Sequence, residues 1–174
     1  GSSRILRRMK RFYTRERYLE VVDQLRAARP DIALSTDFII GFPGETAEDF
    51  ELTMSLLEEV RFHSSFSFKY SERPGTPALK LVEKTPVDQI LAGERLIRLQ
   101  KRQRQIAQEE HTLLEGMVLP VLVEGPSRHD EGVICGRTHT FKTVNFPGDV
   151  SWVGQTRHVR ITKAFANSLR GEAV

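Results

Sequence analysis

Two groups of residues in this 174-residue chain have the types and spacing for chemistry. The first is Gly41-Phe42-Pro43-Gly44-Glu45, which cuts off the apolar run Phe38-Ile39-Ile40 just ahead of a helix start at Thr46. Glycines let a ligand approach the backbone, and the free N–H groups of a helix start favour anions. Asp37 and Glu45 put carboxylates on the same rim. In parallel α/β folds and barrels, the C-terminal end of a strand is the face where ligands bind. A tight strand-to-helix turn with no ligand accounts for the same residues. The second group is Arg137, His139, Lys142, Arg157, Arg160 and Lys163, with Phe141, Phe146 and Trp152 interleaved. Basic side chains that pair with phosphates, mixed with aromatics that stack on bases, make the usual surface for single-stranded RNA. The competing reading places Phe141 and Phe146 in a core.

The elements that must hold these residues read in order along the chain. Residues 14–30 form an amphipathic helix: Tyr18, Val21, Val22 and Leu25 fall on one stripe, Thr14 is its N-cap and Pro30 ends it. Residues 32–40 are a strand with too little polar alternation for a one-sided sheet, so burial on both faces is expected. Thr46 with Asp49 gives a capping-box-like start to the next helix, whose stripe is Phe50, Met54 and Leu57. Residues 64–71 alternate Phe66, Phe68, Tyr70 and read as a second strand. Helix, strand, helix, strand is the rhythm of a parallel sheet or barrel. Two strands cannot complete either, so this piece pairs with something else or belongs to a larger protein.

After the turn-rich RPGTPALK, Thr85-Pro86-Val87-Asp88 predicts the start of a long helix from 86 to about 114, ending near Gly116. Arg95, Arg98 and Arg102 share one of its faces. That face suits either ion pairs, such as Glu94 with Arg98, or RNA. Beyond Gly116 the texture becomes short β-type runs split by Gly, Pro, Asn and Asp, the pattern of a small all-β barrel. A domain boundary is expected near 115, giving domains 1–114 and 115–174.

Composition bounds the reading. Net charge is +3, unevenly spread: residues 1–30 hold nine Lys/Arg against three Asp/Glu, residues 31–84 five against ten. A basic opening fits an anionic partner such as nucleic acid, and also a solvated helix face. No apolar run approaches the roughly 20 residues that span a membrane. The single cysteine, Cys135, excludes an internal disulfide framework and fits a reducing, cytoplasmic setting. One thiol cannot by itself hold an iron–sulfur cluster, and the five histidines lack metal-ligand spacing.

Four segments, GSSRILRRMKRFYT, TDFIIGFPGETAEDFE, YSERPGTPA and GRTHTFKTVNF, occur in that order. As an ordered set covering nearly the whole chain, they resemble the radical-SAM methylthiotransferases. The resemblance implies an α/β fold: a partial radical-SAM (TIM-like) barrel with parallel strands, followed by a small all-β TRAM (OB-like) barrel that binds RNA. The complete enzymes resembled use S-adenosyl-L-methionine and two 4Fe–4S clusters, one held by an N-terminal cysteine domain and one by CxxxCxxC. This chain has neither cysteine set. It is therefore expected to hold no cluster, to be inactive alone, and to need the missing N-terminal part of the same protein, a monomeric parent enzyme with no membrane partner.

The resemblance also implies roles. Thr36, Asp37, Ile39, Gly41 and Gly44 would line the nucleoside end of S-adenosyl-L-methionine, with Ile39 as the apolar contact. Tyr70, Ser71 and Arg73 would end the next strand on that rim, Arg73 making a bidentate phosphate or carboxylate contact or pairing with Glu72 or Glu83. Gly1, Ser2 and Arg4 would lie near the active face. Arg137, His139, Lys142, Arg157, Arg160 and Lys163 would grip the anticodon region of a tRNA. The reaction implied is addition of a methylthio group to C2 of N6-isopentenyl adenosine beside the anticodon. Branches acting on N6-threonylcarbamoyl adenosine or on a ribosomal-protein aspartate remain open, as does a non-catalytic RNA-binding module.

Overall fold

The structure, a computed structural model, describes all residues except 83, 84, 87, 128, 129 and 131. It divides into two units, Gly1–Gln103 and Arg104–Val174. Among the described residues, no helix is long and apolar enough to cross a membrane.

The first unit holds α1 (Ser3–Arg8), α2 (Arg15–Ala28), β1 (Ser35–Ile40), α3 (Ala47–Val60), β2 (Ser64–Lys69), α4 (Leu79–Val82) and the larger part of α5 (Gln89–Thr112). Thr14 caps α2 by accepting from Arg17 N, as its sequence predicts. Of the expected α2 stripe only Val22 is fully buried; Val21 and Leu25 stay largely exposed. Thr46 and Asp49 form a reciprocal capping box at α3, and Phe50, Met54 and Leu57 are all buried.

β1 and β2 pair in parallel, Ser35 opposite Ser64 and Ile40 opposite Lys69, with α3 as the crossover. Burial of β1 on both faces is not observed. Phe38 and Ile40 are buried, whereas Ile39 is 43% exposed and its cross-strand partner Phe68 is 56% exposed. The reason is geometric. Side chains alternate across a strand, and only one face of this two-stranded sheet is covered. On that face Phe38 meets Phe62 edge-on at 5.7 Å, while Gln100 and Gln103 of α5 donate to Ser67 Oγ and the Phe62 carbonyl.

α5 begins at Gln89, not 86. Asp88 supplies the cap, its carboxylate accepting from Ile90 N and Leu91 N at 2.9 and 3.0 Å. Thr85 is unavailable as a cap because its hydroxyl donates to the Leu81 carbonyl; Val87 of the expected start lies outside the described residues. The arginine face of α5 is a ladder of ion pairs. Arg95 meets Glu45 at 2.8 Å, Arg98 meets Glu51, and Arg102 meets Glu58 at 2.5 Å. Arg95 and Arg98 also lie over the Phe50 ring. Their partners sit on α3 and the turn before it, in place of the expected Glu94, so the ion-pair reading is the one this face carries.

Asp49 joins three pieces of this unit. Its carboxylate, 6% exposed, accepts from Ser2 Oγ at 2.6 Å, from Thr46 N and Oγ1 at 2.9 Å, and from the Arg4 guanidinium. Burial alone would raise its pKa, but the hydrogen bonds from Arg4, Ser2 and Thr46 overcome that and hold it well below the usual carboxylate range.

The second unit is a closed five-stranded barrel, consistent with an OB-like fold. Its strands are β3 (Val118–Pro126), β4 (Val133–Thr138), β5 (Thr143–Pro147), β6 (Thr156–Ala164) and β7 (Leu169–Ala173), in the order β3-β4-β5-β7-β6. Among the described residues of this unit, β5 and β7 pair in parallel and the other pairs are antiparallel. Val121, Val123, Ile134, Val144, Phe146, Val159, Ile161 and Leu169 point inward and fill it. Phe146 is fully buried, so it belongs to the core and not to the basic-aromatic surface. The last turns of α5 dock on this unit: Gln108 donates to the Ala164 carbonyl, and His111 Nδ1 lies 2.6 Å from the Phe165 carbonyl.

The Asp49 network sets a pH dependence. A depressed folded-state pKa contributes stability above the unfolded value of 3.8, lost as pH falls through the folded one. Asp49→Asn is expected to cost about 1–3 kcal/mol at neutral pH. It should also flatten the loss of stability between about pH 4 and pH 2. Urea unfolding followed by helical circular dichroism across that range measures both; an Asn variant with the wild-type pH profile would show that Asp49 is not the group responsible.

Candidate ligand rim and nucleic-acid interface

The strand-to-helix turn is held from several sides. Gly41 N donates to Glu45 Oε1 at 3.2 Å, and Glu45 N donates to the Phe42 carbonyl. The Pro43 carbonyl accepts from Arg8 Nε at 3.1 Å, and the Gly44 carbonyl accepts from Arg4 Nη2 at 2.6 Å. Gly44 has φ +81°, a backbone demand for glycine, and a Cβ there would press on the Arg8 guanidinium at 2.9 Å, which would have to shift. Glu45 is withdrawn from solvent with Arg95. Burial pushes its carboxyl pKa up, opposed by the hydrogen bonds from Gly41 and Arg95. Gly41-Phe42-Pro43 are buried, and the Gly41 N–H is already engaged.

The side chains that remain open lie on the strands beside this turn. Asp37 and Ile39 project from the uncovered face of β1, level with Phe66 and Phe68 of β2. Thr36 alternates to the other face, with Phe38 and Ile40, beside the Tyr18 side chain. Tyr70 is buried against Ile5 and Phe42, its ring edge-on to Phe42 at 5.2 Å. Among the described residues, its buried hydroxyl has no hydrogen-bond partner. An open pocket at the end of β2 is lined by Lys69, Tyr70, Ser71, Glu72 and Gln89. Arg73 is exposed in a turn closed by Thr76, whose N and Oγ1 both donate to the Arg73 carbonyl; Glu83, its second candidate partner, lies outside the described residues. Arg4 and Arg8 as supports of the turn were not legible in sequence, because arginine-to-carbonyl bonds leave no spacing signal.

On the barrel, cross-strand register sorts the basic residues. Arg137 of β4 lies opposite Leu122 of β3, and Arg160 of β6 lies opposite Val118. These four side chains project outward, as does His158 opposite Pro120, a residue that sequence reading passed over. Arg137 pairs with Glu124 at 3.1 Å and lies over the exposed Phe141 ring. Arg157 stacks on Trp152 at 4.4 Å and donates to Gln155 Oε1. Lys163 lies over Phe165. His139 is exposed in the β4–β5 turn. Lys142 is half-buried; burial lowers its pKa, with nearby Glu110 acting in the opposite sense. The Cys135 thiol is free and half-buried.

Residues 1–57 match the radical SAM superfamily and residues 113–174 match the TRAM domain. Among curated proteins, the chain is 52% identical over 173 residues to a tRNA-2-methylthio-N(6)-dimethylallyladenosine synthase of Acidithiobacillus ferrooxidans, covering 99% of this chain and 38% of that protein. A protein of the same name from Nitrosospira multiformis is 51% identical, covering 100% of this chain and 36% of the relative. Its counterpart from Clostridium botulinum is 47% identical, covering 100% and 38%. The chain thus spans well under half the length of these relatives. Residues 1–57 and 113–174 carry the two matches, and about half the residues are shared along the whole chain, so the chain is similar to TRAM-bearing radical-SAM proteins, as its four ordered motifs are.

Proposed function

We propose that this chain is the C-terminal portion of a tRNA methylthiotransferase that adds a methylthio group to C2 of N6-isopentenyl adenosine beside the anticodon. The observation that carries the reading is 52% identity, along 99% of the chain, to a relative named for that chemistry. The uncovered face of β1 and β2 supports it: a parallel pair with helices on one side and Asp37, Ile39, Phe66 and Phe68 bare on the other fits the interior of an incomplete barrel.

S-adenosyl-L-methionine fits these residues. Ile39 offers an apolar surface to an adenine ring and Asp37 a hydrogen-bond acceptor beside it, while Tyr70, buried against Ile5 and Phe42, backs the rim. Arg73, exposed beyond the end of β2, carries the guanidinium fork that would pair with a carboxylate. The turn Gly41–Glu45 acts by rigidity, since its N–H and carbonyl groups are tied to Glu45, Arg8 and Arg4. When bound, S-adenosyl-L-methionine and the two 4Fe–4S clusters supply hydrogen abstraction and sulfur. This chain's own share is to position the nucleoside, exclude water and hold RNA. Cluster ligands would come from the remainder of the parent protein, since Cys135 stands alone in the barrel.

Nucleoside mass spectrometry of total tRNA from cells lacking the parent gene tests the reaction. The expected result is loss of 2-methylthio-N6-isopentenyl adenosine with accumulation of the isopentenyl form; its persistence would overturn the assignment. In the full-length protein, Ile39→Asn should weaken S-adenosyl-L-methionine binding about tenfold, the cost of setting a polar amide against the ring. Isothermal titration reads this directly, and an unchanged Kd would remove Ile39 from the cofactor wall. For the RNA grip, Arg137→Ala with Arg160→Ala should lower the slope of log affinity against log salt by about 0.7 for each phosphate no longer neutralised. An unchanged slope would take both residues off the interface.

A further inference from the structure

We infer that Phe141 is a stacking platform for one unpaired RNA base, presented at the edge of the barrel with Arg137 as its cationic partner. The inference rests on the reading that the barrel grips RNA and adds where, and by which group, a base is held.

Three observations carry it. First, Phe141 has φ +63°, in the left-handed region that bulky residues rarely adopt. It sits in the short β4–β5 turn, where Thr138 N donates to the Lys142 carbonyl and Phe141 N donates to the Thr138 carbonyl. Glycine or asparagine meets that backbone demand at little cost, so an aromatic there works against local preference. Second, the ring gains little by burial: Phe141 is 72% exposed, whereas Phe146 in the adjoining strand is fully buried. A strained, solvent-facing aromatic that contributes nothing to the core points to function. Third, the ring is flanked by a held cation. The Arg137 guanidinium lies 5.7 Å from the ring centre, and Glu124 fixes it from the strand side at 3.1 Å. A positioned arginine beside an exposed ring provides base stacking and a cationic contact together.

The platform opens onto a defined track. Arg137 neighbours Leu122, and Leu122, Pro120 and Val118 follow one another outward along β3. His158 and Arg160 line the other side of that strand, opposite Pro120 and Val118. From Leu122 to Val118 the strand rises about 14 Å. A single strand with one base on Phe141 would run its backbone toward His158 and Arg160. Stacking recognises every base, so the platform supplies affinity and register more than sequence choice.

The test uses the 174-residue chain and an RNA hairpin with 2-aminopurine in its unpaired loop. Phe141→Asn and Phe141→Gly should weaken binding between about 5- and 150-fold, the range for losing one base–aromatic stack. They should abolish fluorescence quenching of the loop base and leave the salt slope unchanged. Their unfolding temperature should hold or rise, because both residues suit the left-handed turn. Phe141→Trp should retain binding and quenching. Wild-type affinity and quenching in Phe141→Asn, with Arg160→Ala still weakening the complex, would overturn the platform and leave the RNA grip standing. Failure of the unaltered chain to bind the hairpin would overturn both. A lower unfolding temperature in Phe141→Asn with wild-type binding would mark the ring as structural.

Discussion

The arrangement of the first unit depends on one buried carboxylate. Asp49 is asked to cap α3, to anchor the segment before α1 through Ser2, and to hold Arg4, which in turn reaches the Gly44 carbonyl. A buried charge persists only when its hydrogen-bonding capacity is filled, and here it is filled from three different parts of the chain. The consequence is that the turn after β1 cannot relax independently of the helix after it or the helix before α2. The ligand rim proposed above would need that coupling. A backbone loop that carries function must be positioned by its surroundings to well under an ångström-scale slack, and loops alone do not provide this.

Glu45 and the arginine ladder extend the same logic. Arg95, Arg98 and Arg102 of α5 meet Glu45, Glu51 and Glu58, so α5 is registered against α3 turn by turn. The outer pairs are solvent-exposed and each contributes little stability. The inner pair, Glu45 with Arg95, is largely buried and would be costly to break. The ladder therefore specifies register more than it stabilises. It also leaves the opposite face of the sheet uncovered, since these helices pack on one side only.

Local signals were legible in the sequence where one residue type answers one physical demand. The caps at Thr14 and Thr46, the stripe Phe50–Met54–Leu57, the parallel strand pair and the β-rich second unit all fall in this class. The resemblance was legible too, because the four motifs are ordered and span the chain, and the relatives matched are about half identical along it. What failed depended on tertiary context. Burial of β1 on both faces was expected from its apolar run, yet the described elements cover only one face of the β1–β2 pair. The start of α5 moved to Gln89 because Asp88 competes better for the cap than Thr85, which α4 already uses. The arginine face of α5 could be read as pairs or as RNA contact, and only the position of α3 decides between them.

The candidate surfaces of both units follow from a single alternation. Ile40 and Ile39 are neighbours of one type; the first is fully buried and the second is 43% exposed, because a strand sends them to opposite sides. Phe146 and Phe141 share one hairpin; one fills the barrel and the other stands in solvent at a backbone angle that its side chain disfavours. In each pair the buried member accounts for folding. The exposed member contributes less to folding: Phe141 is 72% exposed, and Ile39 faces the uncovered side of its sheet. Apolar side chains exposed singly are ordinary. Here they lie beside Asp37 and a pinned turn in one unit, and beside a fixed arginine in the other. That company supports the nucleoside wall and the base platform proposed above over chance exposure.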